Sequence, residues 1–223
     1  MDGNGRWAEH RHLPRSAGHE AGARSIQACV EGAIEAGVEY LTLYAFSSEN
    51  WKRPALEVAA LMRLLEKFLD EKIPQMVKEG VRLLTIGQTE RLPANCQRKL
   101  AEAIASTATN TRLTVILALS YGAREEIVEA AKLLARDVAA GKLNANDITN
   151  EVFASRLDTA EIPDPDLLIR SSGEMRISNF LLWQISYTEI YVTDKLWPDF
   201  DKASFQAALE AYAHRDRRFG LHS

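Results

Sequence analysis

The run Leu113-Thr114-Val115-Ile116-Leu117-Ala118-Leu119, closed by Ser120-Tyr121-Gly122-Ala123-Arg124, decides the fold class. A nearly unbroken apolar run of β-formers, stopped by a polar cluster with a glycine, describes a strand buried on both faces. Working outward, residues 40–46, 81–86, 166–169 and 189–192 have the same character. Between these strands lie helix-like stretches at about 18–36, 54–78, 93–107 and 124–140, and Gly37, Gly80 and Gly141 fall where helix C-caps belong. Helix after strand, repeated, predicts an α/β fold with a parallel β-sheet covered by helices. No repeat or low-complexity linker interrupts the pattern, so residues 1–223 read as a single domain.

Composition narrows the function classes. Hydrophobic residues make up 46% of the 223 positions, enough for a full core. The formal net charge of −4 argues against nucleic acid as a partner. Cys29 and Cys96 sit in no CxxC or metal-ligand spacing and read as reduced thiols. No apolar run is long enough to span a bilayer and no signal-peptide pattern opens the chain. The expected location is therefore cytoplasmic, with any membrane contact peripheral.

In open α/β sheets ligands bind beyond the carboxyl ends of the strands. Polar clusters fall at three such ends: Ser47-Ser48-Glu49-Asn50-Trp51-Lys52-Arg53, then Ser120 to Arg124, then the run from Arg170 through Ser178 to Asn179. Together they predict one site built from loops. The last cluster sets Arg170, Arg176 and Ser178 beside Gly173. Arginine forks match phosphate oxygens, and small residues let backbone N–H groups approach an anion. Residues 177–190 read as a helix whose N-terminus would favour the same anion. The N-terminal run Asp2-Gly3-Asn4-Gly5-Arg6-Trp7 repeats the theme and adds a carboxylate, with Arg15 adding positive charge. Asp2 suits Mg²⁺, which takes one or two carboxylates plus substrate phosphates, and Glu189 is a second carboxylate for it. The stretch 54–78 carries too wide an apolar face for a simple surface helix. It reads either as a well-buried core helix or as the wall of an apolar cavity.

Other chemistries lack their motifs. There is no GxxxxGK[ST], HExxH or GxSxG. Gly3-x-Gly5-x-x-Ala8 fits a dinucleotide fingerprint, which would mean an oxidoreductase, but no strand precedes it in this sequence. His10 and His12 lie in a charged stretch and read as solvated.

Several ordered blocks, MDGNGRWA at 1–8, GHEAGA at 18–23, LTLYAFSSENWKRP at 41–54, RSSGEMRISNFLLWQ at 170–184 and WPDF at 197–200, resemble the undecaprenyl diphosphate synthase family of cis-prenyltransferases over essentially the whole chain. That resemblance implies condensation of isopentenyl diphosphate units onto an allylic diphosphate such as farnesyl diphosphate. The product would be a long polyprenyl diphosphate for cell-wall synthesis. It implies that Asp2 is the catalytic aspartate holding Mg²⁺ on the allylic diphosphate, with Glu189 as the second metal-linked carboxylate. Gly3, Asn4, Gly5, Arg6, Arg15 and His19 would cradle that diphosphate, bordered by Trp7 and by Ser47, Ser48, Glu49, Trp51 and Arg53. Asn50 matches the position assigned to proton removal. Arg170, Arg176 and Ser178 match the isopentenyl diphosphate site. Arg218-Phe219-Gly220 resembles an element that completes the partner subunit's site in a homodimer through Arg218 and Gly220. Two departures stand out. Family members carry a strand before the block at 1–8, so the first strand of the sheet is expected to be missing here. Ser120 and Ala123 replace the usual Asn and Gly. The missing strand leaves a non-catalytic subunit of the same fold as a second reading.

Overall fold

The structure, a computed structural model, describes residues 1–215. Its order is α1 (Asn4–Glu9), α2 (Arg15–Ala36), β1 (Tyr40–Ser47), a 3₁₀ turn (Ser48–Lys52), α3 (Ala55–Glu79), β2 (Val81–Ile86), α4 (Ala94–Thr107), β3 (Leu113–Tyr121), α5 (Ala123–Ala139), α6 (Asn150–Ala154), β4 (Leu167–Arg170), β5 (Glu189–Val192) and α7 (Lys202–Ala213). The strands at 40–47, 81–86 and 113–121 form a parallel sheet in the order β1-β3-β2. β4 and β5 pair in parallel as a second, two-stranded piece.

The central strand behaves as its composition requires. Leu113, Val115, Leu117 and Leu119 enter the core shared with α2, α3, α4 and α7. Ile116 and Ala118 face the other layer, against Phe180, Leu181 and the start of α5. Alternation across a strand sends successive side chains to opposite faces, and here both faces are dry. Near its end β1 loses register, between Tyr44 and Phe46 and again before Ser47. Such an irregularity bends a strand and re-aims the residues after it, here the Ser48–Lys52 turn.

A cavity of about 640 Å³ separates the two sheet pieces. It is lined by Leu43 of β1 and Leu168 of β4, by Cys29 and Phe205 from one helical layer, by Phe180 and Leu181 from the other, and by Met1. It thus passes through the sheet layer itself.

Two sequence expectations change. No helix forms over residues 177–190: 179–187 are bends and turns, and Glu189 already opens β5. Ser178, Asn179 and Leu181 have φ of 55°, 60° and 48°, the left-handed region that a right-handed helix cannot use. Asn179 is also engaged elsewhere: its carbonyl accepts the Ala123 N–H at 2.9 Å. Second, Asn4–Glu9 winds into a short helix entered through Gly3 at φ 93° instead of a loose phosphate loop. On α3, Met62, Leu69 and Met76 are buried, whereas Val58, Leu61, Leu65 and Phe68 pack on the core only in part and Leu56 is 84% exposed.

Candidate active site

Asp2 is the centre on which the chain's distant segments converge. Its N–H donates to Ser171 Oγ at 3.0 Å. Its carbonyl accepts from Ser172 Oγ at 2.8 Å and from the Trp197 N–H at 2.9 Å. One carboxylate oxygen accepts from the Gly3 N–H at 2.6 Å, and the other from Arg170 Nη2 at 2.9 Å. Arg6 lies 3.6 Å from the same carboxylate and 3.1 Å from Glu174. Glu174 also pairs with Arg176. Arg170 Nη1 donates to Ser178 Oγ at 3.4 Å, and its Nε is buried without a protein partner. Arg6 and Arg170 therefore meet on the Asp2 carboxylate, with Arg176 joined through Glu174 and Ser178 through Arg170, so the two arginine-bearing segments come together.

The packing behind them explains the glycines of the 18–23 block. A Cβ on Gly18 would lie 1.9 Å from the Asn4 carbonyl oxygen, and one on Gly22 would lie 2.5 Å from Asn4 Oδ1 and 2.8 Å from Trp197. Their lack of a side chain lets α1 sit directly on α2 and brings residues 2–6 to the strand ends. A Cβ on Gly5 would be 3.0 Å from the Arg15 guanidinium, so Arg15 lies against that backbone. Trp7 donates its Nε1–H to Asp199 at 2.7 Å, and Arg11 stacks 4.1 Å over its ring.

The segment after β1 is held on several sides. Asn50 Oδ1 accepts the Ser47 N–H at 3.0 Å, forming a capping box. Trp51 donates to Ser120 Oγ at 2.9 Å and packs edge-on to Phe46. Ser120 departs from the family pattern, yet here it anchors the indole. Ser48 and Glu49 meet Gly122 and Asn179. Arg53 bonds Glu57 at 3.0 Å, and His19 lies 3.8 Å from the same carboxylate. Burial, then the Arg53 charge, lowers the His19 pKa against the pull of Glu57.

Not every predicted residue joins this cluster. Glu189 opens β5 opposite Leu167, whereas Arg170 pairs with Val192 at the other end of that ladder. Three residues of strand, roughly 10 Å, lie between those levels. The Glu189 carboxylate pairs with Arg215, which also donates to the Ile190 carbonyl at 3.0 Å. Among the described residues no group of three or more His, Cys, Asp or Glu is arranged to hold a metal by itself. Arg218, Phe219 and Gly220 lie outside the described residues. His10 and His12 are exposed, as their solvated reading expects. Sequence reasoning missed Ser171, Ser172, Glu57 and Asn179. The serines sit inside the 170–184 block, and a small hydroxyl beside an arginine was their only signal.

An α/β protein with arginines from two distant chain segments gathered on one carboxylate, at the carboxyl end of a parallel sheet, is in class an anion-site enzyme of the loop-built kind. The chain belongs to the prenyltransferase family described as “Putative undecaprenyl diphosphate synthase”, which matches residues 1–220. It is 54% identical to the isoprenyl transferase of Heliobacterium mobile over 99% of this chain and 85% of that protein. It is 50% identical to the farnesyl-diphosphate-specific ditrans,polycis-undecaprenyl-diphosphate synthase of Xanthomonas axonopodis pv. citri, over 100% of this chain and 87% of that one. Among solved structures, lavandulyl diphosphate synthase from Lavandula x intermedia, in complex with dimethylallyl diphosphate, superposes with a TM-score of 0.96 at 39% identity, covering 99% of this chain and 95% of that one. A probable undecaprenyl diphosphate synthase from Campylobacter jejuni gives 0.80 at 38% identity, over 90% and 92% of the two chains. This family assignment sets aside the dinucleotide reading of Gly3 and Gly5.

Proposed function

We propose that this chain condenses isopentenyl diphosphate units, one after another, onto an allylic diphosphate, with farnesyl diphosphate as primer and undecaprenyl diphosphate as product. The observation that carries the reading is the Asp2 carboxylate held against Arg170, where the 2–6 and 170–178 segments meet. Each segment offers guanidinium groups to a diphosphate, and their contact sets the two anions side by side.

The donor chemistry fits Mg²⁺. Asp2 is one carboxylate, its side chain 35% exposed, and such an ion completes its shell with substrate phosphates. Asp2 would hold it, and the ion supplies positive charge to the departing allylic diphosphate. Glu189, paired with Arg215 in this state, is assigned the second carboxylate role by resemblance alone.

The side chains then have distinct tasks. Arg6 and Arg15, with N–H groups at the Gly3–Gly5 backbone, bind the allylic diphosphate. Negative charge grows there as the C1–O bond breaks, so fixed positive groups lower the barrier. His19, neutral because its pKa is lowered by burial and Arg53, offers a hydrogen bond without another full charge. Arg170, Arg176 and Ser178 hold the isopentenyl diphosphate so that its double bond attacks C1. A new C–C bond forms and a proton leaves C2. Asn50 has its amide oxygen on the Ser47 N–H, and a neutral amide is a poor base. Its NH₂ orients substrate, and the released diphosphate takes the proton. Homodimer formation, Arg218 and Gly220 reaching a partner's site, a cytoplasmic location and peripheral membrane contact for product release complete the proposal. Among the described residues no helix is long and apolar enough to cross a membrane.

The test is incubation with farnesyl diphosphate, radiolabelled isopentenyl diphosphate and Mg²⁺, with an EDTA control and products sized by chromatography. A long, metal-dependent polyprenyl ladder is expected. The likeness to lavandulyl diphosphate synthase adds a second arm with dimethylallyl diphosphate as substrate. A single short product in that arm and no ladder in the first would overturn the long-chain reading.

A further inference from the structure

Asn179 has no part in the site as described so far, yet its own segment, the start of α5 and the Ser48–Lys52 turn all meet on it. Its carbonyl accepts the Ala123 N–H, and its Oδ1 accepts the Arg124 N–H at 2.9 Å. These are the first amides of α5, whose own N-cap, Gly122, makes no side-chain capping bond. Helix N-termini carry unsatisfied donors that a side-chain oxygen usually covers from the residue just before. Here the cover comes from a residue 55 positions later in the chain.

The other half of the amide points the opposite way. Nδ2 donates to Glu49 Oε1 at 3.0 Å and to Glu125 Oε2 at 3.1 Å. Burial pushes the Glu49 carboxyl up, but hydrogen bonds, first that from Asn179, outweigh it and leave the carboxyl below its usual range. Next to Asn179, Ser178 accepts from Arg170, and the Ser178 carbonyl accepts from Tyr44 OH at 3.4 Å. A Cβ on Gly122 would strike Glu125 Oε2 at 2.2 Å, Ser48 Oγ at 2.6 Å and Asn179 Nδ2 at 2.8 Å, so this junction is closely packed. Its chemistry is specific to asparagine, which tolerates the left-handed backbone at φ 60° and offers two N–H donors to two carboxylates while its oxygen caps a helix. Aspartate keeps the cap but sets a third negative group between Glu49 and Glu125. Alanine loses both functions.

We infer that Asn179 is a positioning residue that locks the isopentenyl diphosphate segment, Arg170 to Ser178, to the Ser48–Lys52 turn and to the start of α5, and so sets the distance between the two bound diphosphates. The inference rests on the proposed function for its kinetic part and on the geometry alone for its structural part. It acts through neighbours, so its loss weakens isopentenyl diphosphate use before it alters the chemical step.

The experiment compares the full chain with Asn179→Asp, Asn179→Ala and the double variant Asn179→Asp with Glu125→Gln. Losing hydrogen bonds to charged groups, or setting like charges against each other, at the junction that positions the segment is expected to lower affinity about tenfold. The Asp and Ala variants are expected to raise KM for isopentenyl diphosphate by that much and KM for the allylic substrate, bordered by the turn that Asn179 holds, by clearly less, with the melting temperature lowered by no more than a few degrees for the lost cap. In the double variant Glu125→Gln supplies an N–H donor to the introduced carboxylate and is expected to recover part of the loss. Amide hydrogen exchange at Arg124, whose acceptor is the Asn179 side chain, should speed up in the Ala variant and stay slow in the Asp variant, with Ala123, bonded to the backbone carbonyl, as the internal control. Equal loss in both substrates together with a lowered melting temperature, or both constants unchanged, would overturn the inference. If the wild-type protein makes no prenyl product, the proposed function fails instead. Inorganic pyrophosphate binding and the Arg124 amide then decide the role of Asn179. Unchanged binding and unchanged exchange in the Ala variant contradict it.

Discussion

At the scale of single residues, the site is a set of charges, and His19 is one group in it whose charge changes with pH. His19 sits between α2 and α3 beside Arg53 and Glu57, with its folded pKa below the ordinary value of 6.5. When the folded pKa is depressed, the unfolded chain binds the extra proton first as pH falls. Stability from this group is therefore complete above about 6.5 and is lost as pH drops from there through the lower folded value. His19→Gln should flatten that loss, as measured by urea midpoints between about pH 7 and pH 5. Parallel curves for the two proteins would contradict the assignment. Much of this level was legible in advance. Asp2, Arg6, Arg170, Arg176 and Ser178 were all expected in one site, because arginine, serine and glycine beside a carboxylate have few uses other than anions. Glu57 was not expected, and Ser172 and Asn179 lay inside the expected 170–179 cluster without a role of their own. Their parts depend on which distant segment they meet, and residue type does not encode that.

The elements were readable where burial dominates. The strand at 113–121 and the helices around it follow from apolar runs that suit only a sheet covered on both faces. The 177–190 segment defeated the same reasoning. Its apolar residues Phe180 and Leu181 do enter the core, so their pattern was real, but tertiary contacts at Asn179 hold the backbone left-handed. Among the described residues β1 pairs with β3 alone and β4 with β5 alone, and both line the cavity. An extended segment between two parallel edges would restore ladder bonds and fill it with alternating side chains. A short valine- and isoleucine-rich segment fused ahead of Met1 should therefore raise the melting temperature by several degrees, since about 1 kcal/mol moves it by roughly 2–4 °C at this size. An equal-length glycine–serine segment should not. The same rise from both would show that the cavity takes no strand.

For the whole molecule, the architecture explains why residues at opposite ends of the chain share a site. Glycines on α2 let α1 lie against it. Trp197 bonds both the Asp2 carbonyl and the Gly22 carbonyl. Tyr44, near the carboxyl end of β1, bonds the Ser178 carbonyl in the segment that leaves β4. The family pattern at 1–8 and 170–184 is the one-dimensional trace of that meeting. The sequence alone could not reveal that Glu189 stands at the far end of its strand from Asp2, because strand level is a property of the ladder.

The most direct test of the central claim is single-turnover transfer from farnesyl diphosphate to isopentenyl diphosphate by the wild-type protein and by Asp2→Ala. If Asp2 and its arginine neighbours stabilise the departing diphosphate, the variant should lose at least about a hundredfold in rate while the protein remains folded. A variant that transfers the first unit at the wild-type rate would contradict the account.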